Sequence, residues 1–180
     1  METATIANGC FWCTEAIFKR LKGVSSVTSG YANSNVENPS ARDVYSGSTG
    51  AAEALRIEFD PSIIPFDKLL EIFWHTHDPT TLNMQGNDVG EEYRSAVFYH
   101  NTKQKEAAEK IKIELEESHI YKDPIVTEIT QLINFYPADS YNQNFYESGN
   151  RPDYCRFVID PKLQKLLKEY SNEVKDEYKN

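Results

Sequence analysis

Cysteine is scarce in this chain of 180 residues: there are three, an odd number. A secreted scaffold stapled by disulfides uses its cysteines in pairs, so that class is excluded. A reducing, cytoplasmic setting fits better, where cysteines serve chemistry more often than structure. Long hydrophobic runs are also missing. No stretch of about 18 apolar residues exists to span a bilayer, and the opening METATIANGC has neither the basic flank nor the apolar centre of a signal peptide. Positive charge is in deficit, with 19 lysines and arginines against 28 acidic residues and a formal net charge of −9. No basic run offsets that excess. Nucleic-acid phosphates and anionic lipid are therefore repelled, and neither is an expected partner. Nothing repeats and no linker interrupts the pattern, so residues 1–180 read as one domain large enough to bury its own core.

Residues 3–7 (TATIA) read as a strand that runs into Asn8-Gly9, a turn signal. A helix follows in which Cys13, Ile17 and Leu21 form one apolar stripe, and Gly23 stops it. Residues 24–31 are a β-branched strand, and 32–50 a loop with a short strand around Val44. In EALRIEF (53–59), Leu55, Ile57 and Phe59 alternate with Arg56 and Glu58. A helix with Phe66, Leu69, Leu70 and Phe73 on one side comes next. The long loop 77–92 has the length of a functional one, and it leads to a strand at 94–100. A charged helix at 103–118, a strand at 124–129, a short strand at RFVI (156–159) and a polar helix after Pro161 complete the chain. The order predicts an α+β fold: a two-layer α/β sandwich with a ferredoxin-like βαββαβ core and a long C-terminal extension.

The chemistry concentrates in GCFWC, residues 9–13. A helix N-terminus carries roughly half a positive charge. A thiol in the first turn is expected to ionise below its free pKa of about 8.5, which suits Cys10 to be a nucleophile. The stripe with Ile17 and Leu21 assigns Cys13 to the core instead. Three functional readings compete. The Cys10/Cys13 spacing invites a thiol-disulfide oxidoreductase, but the early βαβ unit of thioredoxin-like chains is absent. A zinc site lacks ligands, since Cys155 is the only further cysteine, and HTHD (75–78) reads as a helix end with a core-facing His77. No metal is expected. The third reading is a nucleophile facing an apolar substrate, with Phe11 and Trp12 as an aromatic box suited to an S-methyl group. Strand parity turns Glu53 inward with Leu55, where desolvation raises a carboxyl pKa and keeps a general acid protonated.

GCFWCTEAIF, SGSTGAAEALRIEFDP, HDPTTLNMQGNDVGEEYRSAVFYH, DSYNQNFY and PDYC together resemble peptide methionine sulfoxide reductase, A type, from residue 6 to about 162. The resemblance implies reduction of the S-sulfoxide of methionine, free or protein-bound, without a cofactor. It implies Cys10 as nucleophile, Phe11 and Trp12 as the cradle of the sulfoxide methyl, and Glu53 as the acid. Asp88 and Tyr93 would line the substrate pocket, and Cys155 would resolve the Cys10 sulfenic acid to a disulfide that thioredoxin reduces. The chain departs from that pattern at Ala41, where a tyrosine is usual, and at Ala51 and Asn142, where histidines are usual. Met84 replaces a common basic residue. Tyr45 and Tyr31 stand as candidates for the missing hydroxyl.

Overall fold

The computed structural model describes residues 1–149 and 153–180. Its elements, in chain order, are β1 (Glu2–Asn8), α1 (Phe11–Phe18), β2 (Val24–Ala32), α2 (Ala41–Tyr45) and β3 (Ala52–Phe59). Then come α3 (Phe66–His75), β4 (Met84–Gln85), β5 (Asp88–Val89), a 3₁₀ turn at Glu91–Tyr93, and β6 (Ser95–Tyr99). The chain closes with α4 (Thr102–Glu117), β7 (Glu128–Gln131), β8 (Phe135–Pro137), and a wide π-type turn at Cys155–Ile159 that runs into α5 (Asp160–Tyr170). The architecture is mixed α/β around a six-stranded sheet of order β7-β6-β1-β3-β2-β8. Every pairing in it is antiparallel except β6 with β7.

β3 lies near the middle of the sheet and is covered on both faces. Leu55, Ile57 and Phe59 pack with Ile6 of β1, Cys13, Ile17 and Leu21 of the α1 region, and Leu70, Phe73 and Trp74 of α3. Ala52 and Ala54 face the other way, against Ala7, Ala96 and Phe98, in a thinner layer. β8 extends the sheet edge beside β2. At Gly30 an added Cβ would come within 2.4 Å of the Phe135 ring, so this close approach requires glycine.

Several expectations change here. The expected strand around Val44 is the helix α2, started by a capping box in which Ser40 and Asp43 exchange side-chain-to-backbone hydrogen bonds. The strand expected at 124–129 begins only at Glu128, because Ile125 is buried and the Val126 N–H bonds Pro79 O at 2.8 Å instead of a neighbouring strand. RFVI is not a strand. Cys155, Ile159, Leu163 and Leu166 are buried at helical spacing, while Arg156 and Phe157 face outward. The loop at 77–92 holds the β4–β5 hairpin. The C-terminal segment wraps back onto α1, with Lys22 N–H bonding Glu173 O at 2.7 Å and Arg20 between the rings of Tyr146 and Tyr178. Among the described residues no helix is long and apolar enough to cross a membrane.

Candidate active site

Gly9 sits at φ +104°, a conformation L side chains rarely adopt, and an added Cβ would lie 2.8 Å from Gln85. The turn it makes sets Cys10 at the N-cap of α1 rather than inside the first turn. Its carbonyl accepts the Cys13 N–H at 3.1 Å. Cys10 is partly exposed, whereas Cys13 and Cys155 are buried, and all three are thiols.

Glu53 completes the helix start. It is 1% exposed, and its Oε2 accepts the Phe11 backbone N–H at 2.9 Å, one of the donors a helix start leaves unpaired. Burial is the main reason its pKa is pushed up to about 8, with the charges of Asp88 and Glu92 adding to it and hydrogen bonds from Phe11 and Tyr45 opposing it. Tyr31 lies directly across the β2–β3 ladder from Glu53. Its ring meets Phe11 at 5.7 Å, and its buried hydroxyl has no hydrogen-bond partner among the described residues. Tyr93 follows Glu92 in the 3₁₀ turn and feels the charges of both Glu53 and Cys10. A partly exposed thiol and a buried carboxyl with a raised pKa therefore stand together at the start of α1.

The aromatic pair divides its work. Phe11 is fully buried against Tyr31 and Val44. Trp12 stays partly open and is held from the far end of the chain. It stacks on Phe145 with centroids 3.7 Å apart and planes 8° from parallel, and its indole N–H donates to Asn142 Oδ1 at 3.0 Å. Asn142 is fixed in turn by Asp139. Asn142 thus anchors the indole, a task the sequence reading did not assign to it.

On its other side Cys10 opens on a cleft of about 230 Å³ lined by Cys13, Gln85, Asp88, Tyr154 and Lys162. Asp88 lies here, accepting the Tyr154 hydroxyl at 2.6 Å, and the same oxygen is 3.6 Å from Cys13 Sγ. Cys10 and Cys13 also share a hydrogen bond. The expected easy ionisation of Cys10 is corrected by its surroundings. Burial, the Cys13 thiol and the Glu53 charge all hold its pKa well above the usual value, with only the Trp12 backbone N–H opposing. Cys13 is drawn down to about 7, first by the hydrogen bond with Cys10, and further by Lys162 and Tyr154, against burial. Cys13 is core-packed as its stripe implied, and it is also a reactive neighbour of Cys10.

Cys155 lies in the same core cluster as Cys13, at the head of the π-type turn and next to Tyr154 in sequence. Part of the Gly- and Pro-containing loop expected to carry it, residues 150–152, lies outside the described residues. Tyr154 was not singled out as a site residue by the sequence reading, since only folding reveals where its hydroxyl points. His77 is a core histidine, with Nδ1 2.5 Å from Phe73 O and Nε2 2.7 Å from Ser95 Oγ, and burial lowers its pKa to about 3. No group of three candidate metal ligands occurs among the described residues.

A family model described as peptide methionine sulfoxide reductase matches residues 2–175. The peptide methionine sulfoxide reductase of Leptospira borgpetersenii is 49% identical over 168 residues, covering 93% of this chain and 94% of its own. That of Sulfolobus acidocaldarius is 49% identical over 170 residues, covering 94% and 96%. Reduced Mxr1 from Saccharomyces cerevisiae has a similar structure, with a TM-score of 0.77 at 31% identity over 84% of this chain and 87% of that one. Mxr1 in complex with Trx2 matches at a TM-score of 0.57 and 27% identity, over 80% and 84%. The cysteine at the mouth of the first helix, with its buried acid, is thus set in a shared sequence and a shared fold: this chain belongs to the peptide methionine sulfoxide reductase family.

Proposed function

We propose that this protein reduces the S-sulfoxide of methionine, free or in proteins, to methionine, with Cys10 as nucleophile and Glu53 as general acid. The observation that carries the roles is the hydrogen bond from the Phe11 N–H to Glu53, which fixes a buried carboxyl at the same helix start as Cys10. A sulfoxide oxygen is a poor leaving group until protonated. The Cys10 thiol passes its proton to Cys13 across their hydrogen bond, and the thiolate attacks the sulfoxide sulfur. Glu53 delivers its proton to the oxygen; the resulting hydroxyl then moves to the Cys10 sulfur as the S–O bond and the new S–S bond to the substrate sulfur both break, releasing methionine and leaving Cys10 as a sulfenic acid. Phe11 and Trp12 cradle the S-methyl group, and Asp88 and Tyr93 complete the pocket wall. Fixing methyl and oxygen leaves one direction for the rest of the substrate, which admits one epimer.

A second thiol then attacks the sulfenic sulfur and releases water, leaving a disulfide. We assign that end point to Cys155, with Cys13 as relay; α1 and the Cys155–Ile159 turn packing into one core supports this. The reductant is a thioredoxin, the class of partner that Trx2 represents for Mxr1. The same reading takes β6-β1-β3-β2 with α1 and α3 as a ferredoxin-like βαββαβ core, supported by the order and antiparallel pairing of those strands.

The test is NADPH consumption with thioredoxin and thioredoxin reductase, supplied with each sulfoxide epimer separately. Consumption is expected with the S epimer alone. Equal use of both epimers overturns the stereochemical assignment, and consumption without any sulfoxide favours a general disulfide reductase.

A further inference from the structure

Tyr154 touches three parts of the site at once. Its hydroxyl donates to Asp88 Oδ2 at 2.6 Å and lies 3.6 Å from Cys13 Sγ, within hydrogen-bond reach of sulfur. Its ring meets Trp12 edge-on, with centroids 6.0 Å apart. The cleft beside Cys10 is walled by the same residue, with Asp88 and Lys162. A phenol has a single proton to donate. Two groups compete for it here, a carboxylate and a thiol. The short bond to Asp88 leaves the phenol oxygen to accept the Cys13 S–H. Once Cys13 is a thiolate it has no proton to offer, and lone pairs on oxygen and sulfur face each other unless the hydroxyl turns. Burial and the charges of Cys10 and Cys13 suppress ionisation of Tyr154 itself, so the hydroxyl keeps its proton throughout.

We infer that Tyr154 is a positioning residue whose hydroxyl alternates between two acceptors. It donates to the Asp88 carboxylate while Cys13 is a thiol and turns to Cys13 Sγ when that sulfur becomes a thiolate. This rests on the reading of Cys13 as the relay between Cys10 and Cys155. No proton leaves the phenol; only the direction of the O–H bond changes. The ring need not move, since both acceptors already lie within reach of one oxygen. The Cys13 thiolate thereby gains a donor and Asp88 gives one up, so one proton couples the charge on the relay thiol to a carboxylate of the cleft wall. The other groups facing Cys13 have no such choice. Cys10 shares its own hydrogen bond with Cys13, Lys162 acts through its positive charge, and Asp88 acts as a repelling charge. Cys155, in the same core cluster, is a further thiol. Removing the Tyr154 hydroxyl leaves the Asp88 repulsion in place and takes the donor away, so Cys13 becomes harder to ionise.

The experiment compares the parent with Tyr154→Phe, which keeps the ring against Trp12, with Asp88→Asn, and with the double variant. Each is labelled with carbon-13 at the cysteine β carbons and titrated by NMR without substrate; Cys10→Ser, Cys13→Ser and Cys155→Ser assign the three signals. Tyr154→Phe is expected to move the Cys13 titration to higher pH by about one to two units, the range for a hydrogen bond to a charged group. Loss of thiol in a single turnover with methionine sulfoxide should slow about 2- to 5-fold at pH 7, as the smaller thiolate fraction outweighs its greater nucleophilicity. Asp88→Asn should move the Cys13 titration to lower pH, because a repelling charge goes and the hydroxyl is released to sulfur. That shift should be smaller when residue 154 is already Phe, where only the charge effect remains. Asp88→Asn shifts of equal size in both backgrounds overturn the inference, as does a Tyr154→Phe titration of Cys13 that overlays the parent. Titrations that move as expected, in a protein whose Cys13→Ser variant forms its disulfide at the parent rate, uphold the Tyr154 assignment and overturn the relay reading instead.

Discussion

On one side of Cys10, Glu53 is buried, and its proton is held up to a pH of about 8. On the other, Cys13 is also buried, yet its thiol gives up a proton at about 7. Burial penalises the charged form of both groups. The difference lies in what meets the charge. Glu53 accepts the Phe11 N–H but faces Asp88 and Glu92. Cys13 has Cys10, Tyr154 and Lys162 acting in its favour, with Asp88 the main opposing charge. A protein interior does not assign one pKa direction to its acids; the neighbours decide whether a group becomes a proton donor or a nucleophile. Cys10 sits between the two kinds of surroundings.

The most severe way to break this contrast is to remove the atom between them. Cys10→Ser should fold normally and lose sulfoxide reduction by orders of magnitude, because an alcohol is a far weaker nucleophile at neutral pH. Steady-state rates on purified protein, with circular dichroism to check the fold, measure this. Next in size is Glu53→Gln, expected to lower the single-turnover rate by about 10²–10⁴, the usual range for general acid catalysis. The parent should then show two opposed pH limbs. Sulfoxide reduction should fall as pH climbs through about 8 and Glu53 loses its proton, whereas disulfide formation, followed by loss of titratable thiol, should rise as Cys13 ionises near 7. Coincident limbs for the two steps would erase the distinction between the sides.

Disulfide mapping sharpens the thiol side further. With sulfoxide and no reductant, Cys13→Ser should accumulate a Cys10–Cys155 bond, and Cys155→Ser should stop at Cys10–Cys13 or at the sulfenic acid and recycle poorly with thioredoxin. Full recycling by Cys155→Ser assigns resolution to Cys13.

The acid side also has a stability signature. The folded Glu53 keeps a proton that the unfolded chain releases, between the ordinary 4.5 and about 8. Folding stability contributed by this position therefore falls as pH rises through that window, and the deficit is absent below it. Glu53→Gln should be more stable than the parent at pH 7 by about 1–3 kcal/mol, with the advantage gone at pH 4 in denaturant titrations. The smallest expected effect is Asn142→Ala. Losing one hydrogen bond to the indole, worth about 1 kcal/mol, should raise KM a few-fold and leave kcat nearly unchanged.

The legible parts of this molecule were those that a local pattern encodes. Alternation in β3 turned Glu53 inward without knowledge of the sheet, and Asn8-Gly9 announced the turn beneath Cys10. RFVI misled because four residues with three apolar members fit a strand and a helix equally well; the burial of Leu163 and Leu166 decides it only once Cys155 to α5 is seen as one continuous helix. Val44 misled because its helix is a single turn, too short for periodicity to appear. Asn142 and Tyr154 could not be assigned from spacing at all. Each acts through one polar atom delivered across the fold, and Asn142 reaches Trp12 from 130 residues away.

That distance has a consequence for how the protein is made. Cys10, with β1 and α1, leaves the ribosome well before Asn142 and Phe145. Until they arrive, Trp12 has neither its stacking partner nor its hydrogen-bond acceptor. A nascent chain therefore carries the thiol without the fixed indole of the proposed methyl site. Synthesis order itself delays selective binding until residues beyond Phe145 are available to fold.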